Sequence, residues 1–302
     1  MNFVSLTYFI FLIIAFAVYW AVPHSFRKYI IVASGCVFYM WAKPICILLL
    51  IADTVVCYFA GLWIDQAKED RQKKQRMTYS VVFFLAILFV FKYLDFAIGS
   101  INWLQEKLGF QTSFTTVHVL LPVGISFYTF QIIAYLADIR HGRIGVEKDF
   151  WTYAAFVCFF PQILSGPIPR AKDLLPQIKE SKTFDSKLAM DGVKLATWGY
   201  FKKAVIADLF GIYVDKVYVD TGSFTGFACL LVIFLYSFQI YFDFSGYTDI
   251  ARGSAQLFGI CLGENFRQPY FSKSVNEFWD RWHISLSTWL RDYVYIHSLS
   301  ES

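Results

Sequence analysis

The 302-residue chain is 57% hydrophobic and 20% aromatic, with only 17% charged residues and a formal charge of +4; its mean hydropathy is +0.48. That profile excludes an ordinary soluble domain and marks a membrane protein, with the lipid bilayer as its first partner. The small net charge, with its basic residues in loops, argues against nucleic acid as a partner, and six cysteines scattered through apolar stretches, with no CxxC, suggest neither a disulfide framework nor a metal site.

A helical crossing needs roughly 20 predominantly apolar residues. In chain order, residues 3–22, 44–64 and 117–137 meet that length, residues 77–93 and 226–242 fall slightly short, and residues 29–41 form a shorter run. None alternates as barrel strands do, so each is read as a helix. The first run has no basic n-region and no cleavage pattern and is read as a retained helix. The expected fold class is all-α: a polytopic transmembrane helical bundle with re-entrant and amphipathic interfacial helices, forming one membrane-embedded domain over residues 1–302.

Lys68, Arg71, Lys73, Lys74 and Arg76 cluster in one short loop, which the positive-inside rule places in the cytoplasm. Counting back puts Arg27 and Lys28 inside and the N-terminus outside. Counting forward puts residues 94–116 outside and Arg140, Arg143 and Lys148 inside. Residues 150–164 are too short to cross, and the next segment is again basic through Arg170, Lys172, Lys179 and Lys182. The expectation is therefore a re-entrant segment broken by Pro161, Gly166, Pro167 and Pro169, with a tilted span as the alternative. Residues 188–219 mix apolar positions with Lys194, Lys202, Lys203 and Asp208, as an amphipathic or bundle-interior helix would.

Three stretches could carry chemistry. YFDFSGYTDIAR (residues 241–252) brings Asp243, Ser245, Asp249 and Arg252 to the end of an apolar run. They line a polar passage, or Asp249 and Arg252 form a structural ion pair at i, i+3. LPVGISFYTFQ (residues 121–131) carries small and hydroxylated residues suited to helix packing. In NEFWDRWHISLSTWLRDYVYI (residues 276–296), Ser274 and Glu277 form a capping box that starts a helix near Val275. Phe278, Trp282, Leu286, Trp289 and Tyr293 then make one aromatic stripe along it. Arg281, Arg291 and Asp292 fall on the opposite side, and His283 lies one residue along from the stripe, beside Trp279 and Ser287. A lone histidine in such a place is either a structural residue or a catalytic one.

The last stretch closely resembles the signature of membrane-bound O-acyltransferases, above all the branch that O-acetylates bacterial exopolysaccharides such as alginate. LLPVGISFYTFQ (120–131), FFPQILSGPIPR (159–170), YFDFSGYTDIA (241–251) and ENFRQPYFSKS (264–274) support it in the expected order. The resemblance implies a helical funnel in the bacterial inner or plasma membrane, lined by Asp243, Ser245, Asp249, Arg252, Trp279, Arg281, Ser287 and Arg291. It also implies His283 as the first of two family histidines and transfer of acetyl groups to hydroxyls of an extracellular polysaccharide. The donor is acetyl-CoA or a carrier-borne acyl thioester, with no bound cofactor. Cell-surface or periplasmic acetyltransferases are the implied protein partners, and D-alanyl transfer to teichoic acids belongs to a sibling branch. A transporter or channel is the competing reading outside the family. After residue 296 the chain reads HSLSES, where the family continues with a loop, the second histidine and further spans. His297, in that tail, does not replace the missing histidine. The expectation is a C-terminally shortened chain that inserts in the membrane without transferring acetyl groups alone.

Overall fold

The computed structural model describes residues 3–110, 114–115, 121–164 and 166–295, so residues 117–120 of the third expected span and His297 lie outside the described residues. Among the described residues, pairing outside helices is confined to one antiparallel bridge, Phe266 with Trp282.

Helix α1 (Leu6–Ala21) starts where the Ser5 hydroxyl accepts the Tyr8 N–H at 3.2 Å and ends before Pro23, which α2 (His24–Ala42) takes as its N-cap. With 16 residues, α1 is shorter than the span expected over residues 3–22. Helix α3 (Cys46–Asp65) matches its expected span. Helix α4 (Asp70–Lys107) has 38 residues and absorbs most of both flanking loops. The expected outer loop over residues 94–116 is therefore corrected: its first 14 residues, through Lys107, are the last turns of α4. No Gly or Pro pair stops the helix there, Asp70 lies in its first turn and Lys107 in its last, each favourable to the helix dipole.

Helices α3, α4 and, later, α11 (Gly226–Leu257) are long and apolar enough to cross a membrane, and α4 and α11 expose Phe83, Phe89, Leu230 and Phe234 on their outer faces. Helix α5 (Ile125–Arg140) is different, because Tyr128, Thr129 and every residue from Gln131 to Ile139 are buried. It is an interior helix enclosed by its neighbours.

The short apolar run after it breaks as its length implies. Helix α6 (Phe150–Cys158), capped by Asp149, ends at Phe159, and α7 (Phe160–Ile163) restarts with Pro161 in its first turn. The carbonyl of Phe156, freed by the break, accepts hydrogen bonds from Gln131 Nε2 at 2.8 Å and Gln162 Nε2 at 2.6 Å. Broken backbone is tolerated in such a setting because protein groups replace the lost partners. Helix α8 (Ala171–Lys179) follows.

Residues 188–219 fall in one continuous helical run: α9 (Ser186–Tyr200), a π-helical stretch (Phe201–Ala207) and α10 (Asp208–Val219). It packs along α11 through glycines spaced by seven. A Cβ on Gly199 would lie 2.7 Å from the Gly246 carbonyl oxygen, and one on Gly253 would lie 2.4 Å from that of Gly192. Only glycine lets the two backbones approach so closely.

Candidate functional site

Ser274 caps α12 (Val275–Arg281) as expected, its hydroxyl accepting the Glu277 N–H at 3.1 Å, while the Glu277 carboxylate accepts the Lys273 N–H at 2.6 Å. The single helix expected beyond it is corrected. Trp282 is extended, His283 is left-handed (φ 42°, ψ 53°), and a new helix, α13 (Ile284–Leu290), begins only then, running into a π-helical turn (Arg291–Tyr295).

The aromatic stripe is split between two partners, which is why one helix does not serve it. Phe278 and Trp282 stack on Tyr270, with centroids 6.4 and 6.0 Å away, and Trp282 meets Phe266 edge-on at 5.0 Å. Trp289 and Tyr293 turn toward α5, donating to the Phe130 carbonyl and the Asp138 carboxylate, each at 2.9 Å. Between them, residues 265–267 run antiparallel to residues 281–284. The Arg267 N–H donates to the Arg281 carbonyl (2.9 Å), the Ile284 N–H to the Asn265 carbonyl (2.9 Å), and the Ser285 N–H to Asn265 Oδ1 (3.2 Å).

The His283 ring is packed by aromatic residues of α5 and α11: Phe244 lies edge-on at 4.7 Å and Phe127 roughly parallel at 6.3 Å. Its Nε2 is buried and has no hydrogen-bond partner among the described residues. Burial pushes its pKa down from the ordinary 6.5 to about 4, because a low-dielectric surrounding disfavours the charged ring. The imidazole is thus neutral at physiological pH, with one nitrogen open to a proton donor or acceptor.

The other expected lining residues divide. Ser245, 1% exposed, follows Phe244 on α11, and its hydroxyl also lacks a partner among the described residues. Asp243 pairs with Lys203 at 2.5 Å. Asp249 pairs with Lys202 and, at 3.5 Å, with Arg252; Arg252 reaches Glu264 at 3.3 Å, and Glu264 meets Arg267 at 3.4 Å. Lys202, Asp249, Arg252, Glu264 and Arg267 form a continuous chain of ion pairs from the π-helical stretch to the segment that pairs with residues 281–284, and the Asp243 and Lys203 pair stands apart from it. Ser287 donates to the Trp282 carbonyl at 3.1 Å. The placement of Trp279 beside His283 is corrected: the break at Trp282 rotates α12 away, and Trp279 is 53% exposed. Arg281 pairs with Glu277 at 2.5 Å along α12, and Arg291 with Asp292 at 3.0 Å.

Asp292 also receives Arg170. Burial alone would raise the Asp292 pKa, but the hydrogen bonds from Arg170 and Arg291 hold it below the ordinary carboxylate value. Arg170 and Ser285 face a cavity of about 250 Å³ between α8, α13 and the segment around Glu264 and Arg267. Asn265 and the Arg170 pair were not singled out from sequence. The sequence of ENFRQPY carries no signal that sets Asn265 apart, since Gln268 is a second uncharged amide in the same stretch.

Comparison with known proteins bears on this arrangement. The family model of the membrane-bound O-acyltransferases matches residues 145–302. The probable alginate O-acetylase AlgI of Azotobacter vinelandii is 39% identical over 95% of this chain and 57% of its own length. The peptidoglycan O-acetyltransferase of Helicobacter pylori is 33% identical over 90% of this chain and 55% of its own length. The teichoic acid D-alanyltransferase of Streptococcus thermophilus is 30% identical over 78% and 55%. The chain spans a little more than half the length of these curated relatives. The matched region takes in the chain from α6 to the π-helical turn after α13, with Phe244, Asn265 and His283, while α5, which supplies Phe127, lies before it; the chain belongs to the membrane-bound O-acyltransferase family.

Proposed function

We propose that this chain works in a membrane O-acyltransferase that moves acetyl groups to hydroxyls of an extracellular polysaccharide such as alginate. The observation that carries the reading is the 39% identity to an alginate O-acetylase over 95% of the chain. The neutral, open imidazole of His283 supplies chemistry that fits it. A polysaccharide hydroxyl is too weak an acid to ionise unaided, so a base must take its proton as the oxygen attacks the thioester carbonyl. His283 Nε2 takes that proton and returns it to the departing thiolate: one ester bond forms, one thioester bond breaks, and the imidazole ends neutral. Acetyl-CoA or a carrier-borne acyl thioester is the donor, reached from the cytoplasm. The acceptor comes from the opposite face, where cell-surface or periplasmic acetyltransferases pass the group on. The protein sits in the bacterial inner or plasma membrane with its N-terminus outside, and both flanks of the broken α6–α7 segment are cytoplasmic. D-alanyl transfer to teichoic acids is the second reading, since a teichoic acid D-alanyltransferase is among the relatives, at lower identity.

The test uses a strain lacking its own acetylating enzyme. The chain is expressed alone and joined to the C-terminal portion of the Azotobacter relative, and ester-linked acetate on the polysaccharide is measured. Acetate that appears with the joined protein and disappears with His283→Ala is the expected result. No ester from a correctly inserted fusion, while the relative itself restores acetylation, overturns the reading.

A further inference from the structure

We propose that Asn265 is a positioning residue for His283, holding the left-handed backbone that presents the imidazole to the site. The proposal rests on the reading of His283 as the base of the acyl transfer, and its geometry stands independently of that reading.

A left-handed conformation is unfavourable for any residue with a Cβ, and persists where the surroundings over-determine it. His283 is one of two non-glycine residues with positive φ among those described. Asn265 grips both residues that follow it, its carbonyl accepting the Ile284 N–H and its Oδ1 the Ser285 N–H. The first N–H groups of a helix have no partner inside it, so one residue here satisfies two orphan donors of α13 and fixes where the helix starts. The bridge between Phe266 and Trp282 secures the other side of His283. The chain is thereby pinned immediately before and after the left-handed residue, and the ring is left between Phe244 and Phe127.

Asparagine suits this position in a way its neighbours in size do not. Asn265 is 0% exposed, so an aspartate would bury a charge, while glutamine would push the oxygen one methylene too far. With Oδ1 committed to an N–H, the amide cannot be flipped. Its Nδ2 donor then stays buried without a partner among the described residues, as does His283 Nε2. Two open, buried polar atoms on one clamp are unusual in a purely structural turn.

The test reads the imidazole itself in the 302-residue chain, reconstituted in lipid nanodiscs with 15N-labelled histidine, the His283 signal being assigned by its loss in His283→Gln. In the unsubstituted chain the ring stays neutral down to about pH 5. Asn265→Ala is expected to free the ring to titrate near the ordinary histidine value, and Asn265→Ser, whose hydroxyl keeps a shorter acceptor, to fall between. An unchanged His283 titration in folded Asn265→Ala overturns the proposal.

A second measurement covers the case in which Asn265→Ala folds poorly. Glycine adopts positive φ freely, so in a His283→Gly background the clamp has less to hold, and Asn265→Ala should lower the unfolding temperature by less than in the parent. Additive shifts count against the proposal. In the fusion used for acetyl transfer, Asn265→Ala should lower kcat about a hundredfold with KM for the donor retained. A fusion with no acetyl transfer but with the ring and coupling results intact removes the acyl-transfer reading and leaves the positioning role standing.

Discussion

His283 shows how a single residue decides what a segment can do. Its ring is depressed to about 4 by burial, so between pH 6.5 and 4 the unfolded chain binds a proton that the folded chain refuses. Stability from this group is therefore fully present above pH 6.5 and is lost as the pH falls toward 4. His283→Gln should flatten that acid loss, as read by thermal unfolding in detergent across the pH range. In the joined enzyme, His283→Ala should abolish acetyl transfer with insertion unchanged, and the transfer rate of the unsubstituted protein should not drop as the pH passes below 6.5 on account of this residue. Much of this site was legible in sequence: the capping box at Ser274 and Glu277 marked where α12 begins. The turn at His283 was not legible, because Phe278, Trp282, Leu286 and Trp289 keep helical spacing straight through it. The two halves of the stripe go to partners outside the segment, Tyr270 just before it and Phe130 far upstream, and spacing within a segment carries no information about those. The left-handed histidine lacked the glycine that normally signals such a position.

At the scale of the helix pair, the crossing of α9 and α11 makes the sharpest claim. Gly253→Ala places a methyl 2.4 Å from the Gly192 carbonyl oxygen and 2.7 Å from the Ala196 nitrogen, both backbone atoms that cannot rotate away. Overpacking of this kind should cost about 1–3 kcal/mol. Gly99→Ala, in α4 with nothing within 4 Å of the new methyl, should instead gain about 0.5–1 kcal/mol. Thermal unfolding of the two variants in the same detergent separates them, and equal effects would contradict the close approach. The same crossing holds the mostly buried Lys202 and Asp249 pair. Asp249→Asn leaves the ammonium unpaired and should cost about 3–5 kcal/mol. The double variant Asp249→Asn with Lys202→Met should recover most of that loss. The continuous run over residues 188–219 could be read from sequence as an amphipathic or interior helix. Its partner could not, since Gly192 and Gly199 on one element face Gly253 and Gly246 on another, more than 40 residues away along the chain. A break in the run over residues 150–164 was legible from its length and its prolines, with a tilted span left open beside it, but the position of the break at Phe159, two residues before Pro161, was not.

For the whole molecule, α4 ties the proposed orientation to one measurable object. Its 38 residues make a rod of about 57 Å, longer than the roughly 30 Å hydrocarbon core, so its ends must emerge on opposite faces if it crosses. With the native cysteines replaced, a cysteine at Gln105 should react with an impermeant reagent added to intact cells, and one at Lys73 should not until the membrane is opened. The reverse pattern would invert the orientation, and labelling of both from outside would deny that α4 crosses. Loop charge is what the proposed orientation rests on, whereas the burial of α5 was hidden because a hydrophobic run reads alike whether it faces lipid or protein. The ion-pair chain from Lys202 through Asp249, Arg252 and Glu264 to Arg267 has a consequence for how the protein is made. Its charges come from three separate parts of the chain, and α11 leaves the ribosome carrying Asp243, Asp249 and Arg252. If α11 entered lipid alone, those charges would be costly within the hydrocarbon core. With α9 and its π-helical stretch already waiting, Lys202 and Lys203 neutralise the two aspartates as they arrive. Biogenesis is therefore expected to proceed by release of α9 to α11 from the insertion machinery as one unit, the earlier helices holding back until the later one has been synthesised.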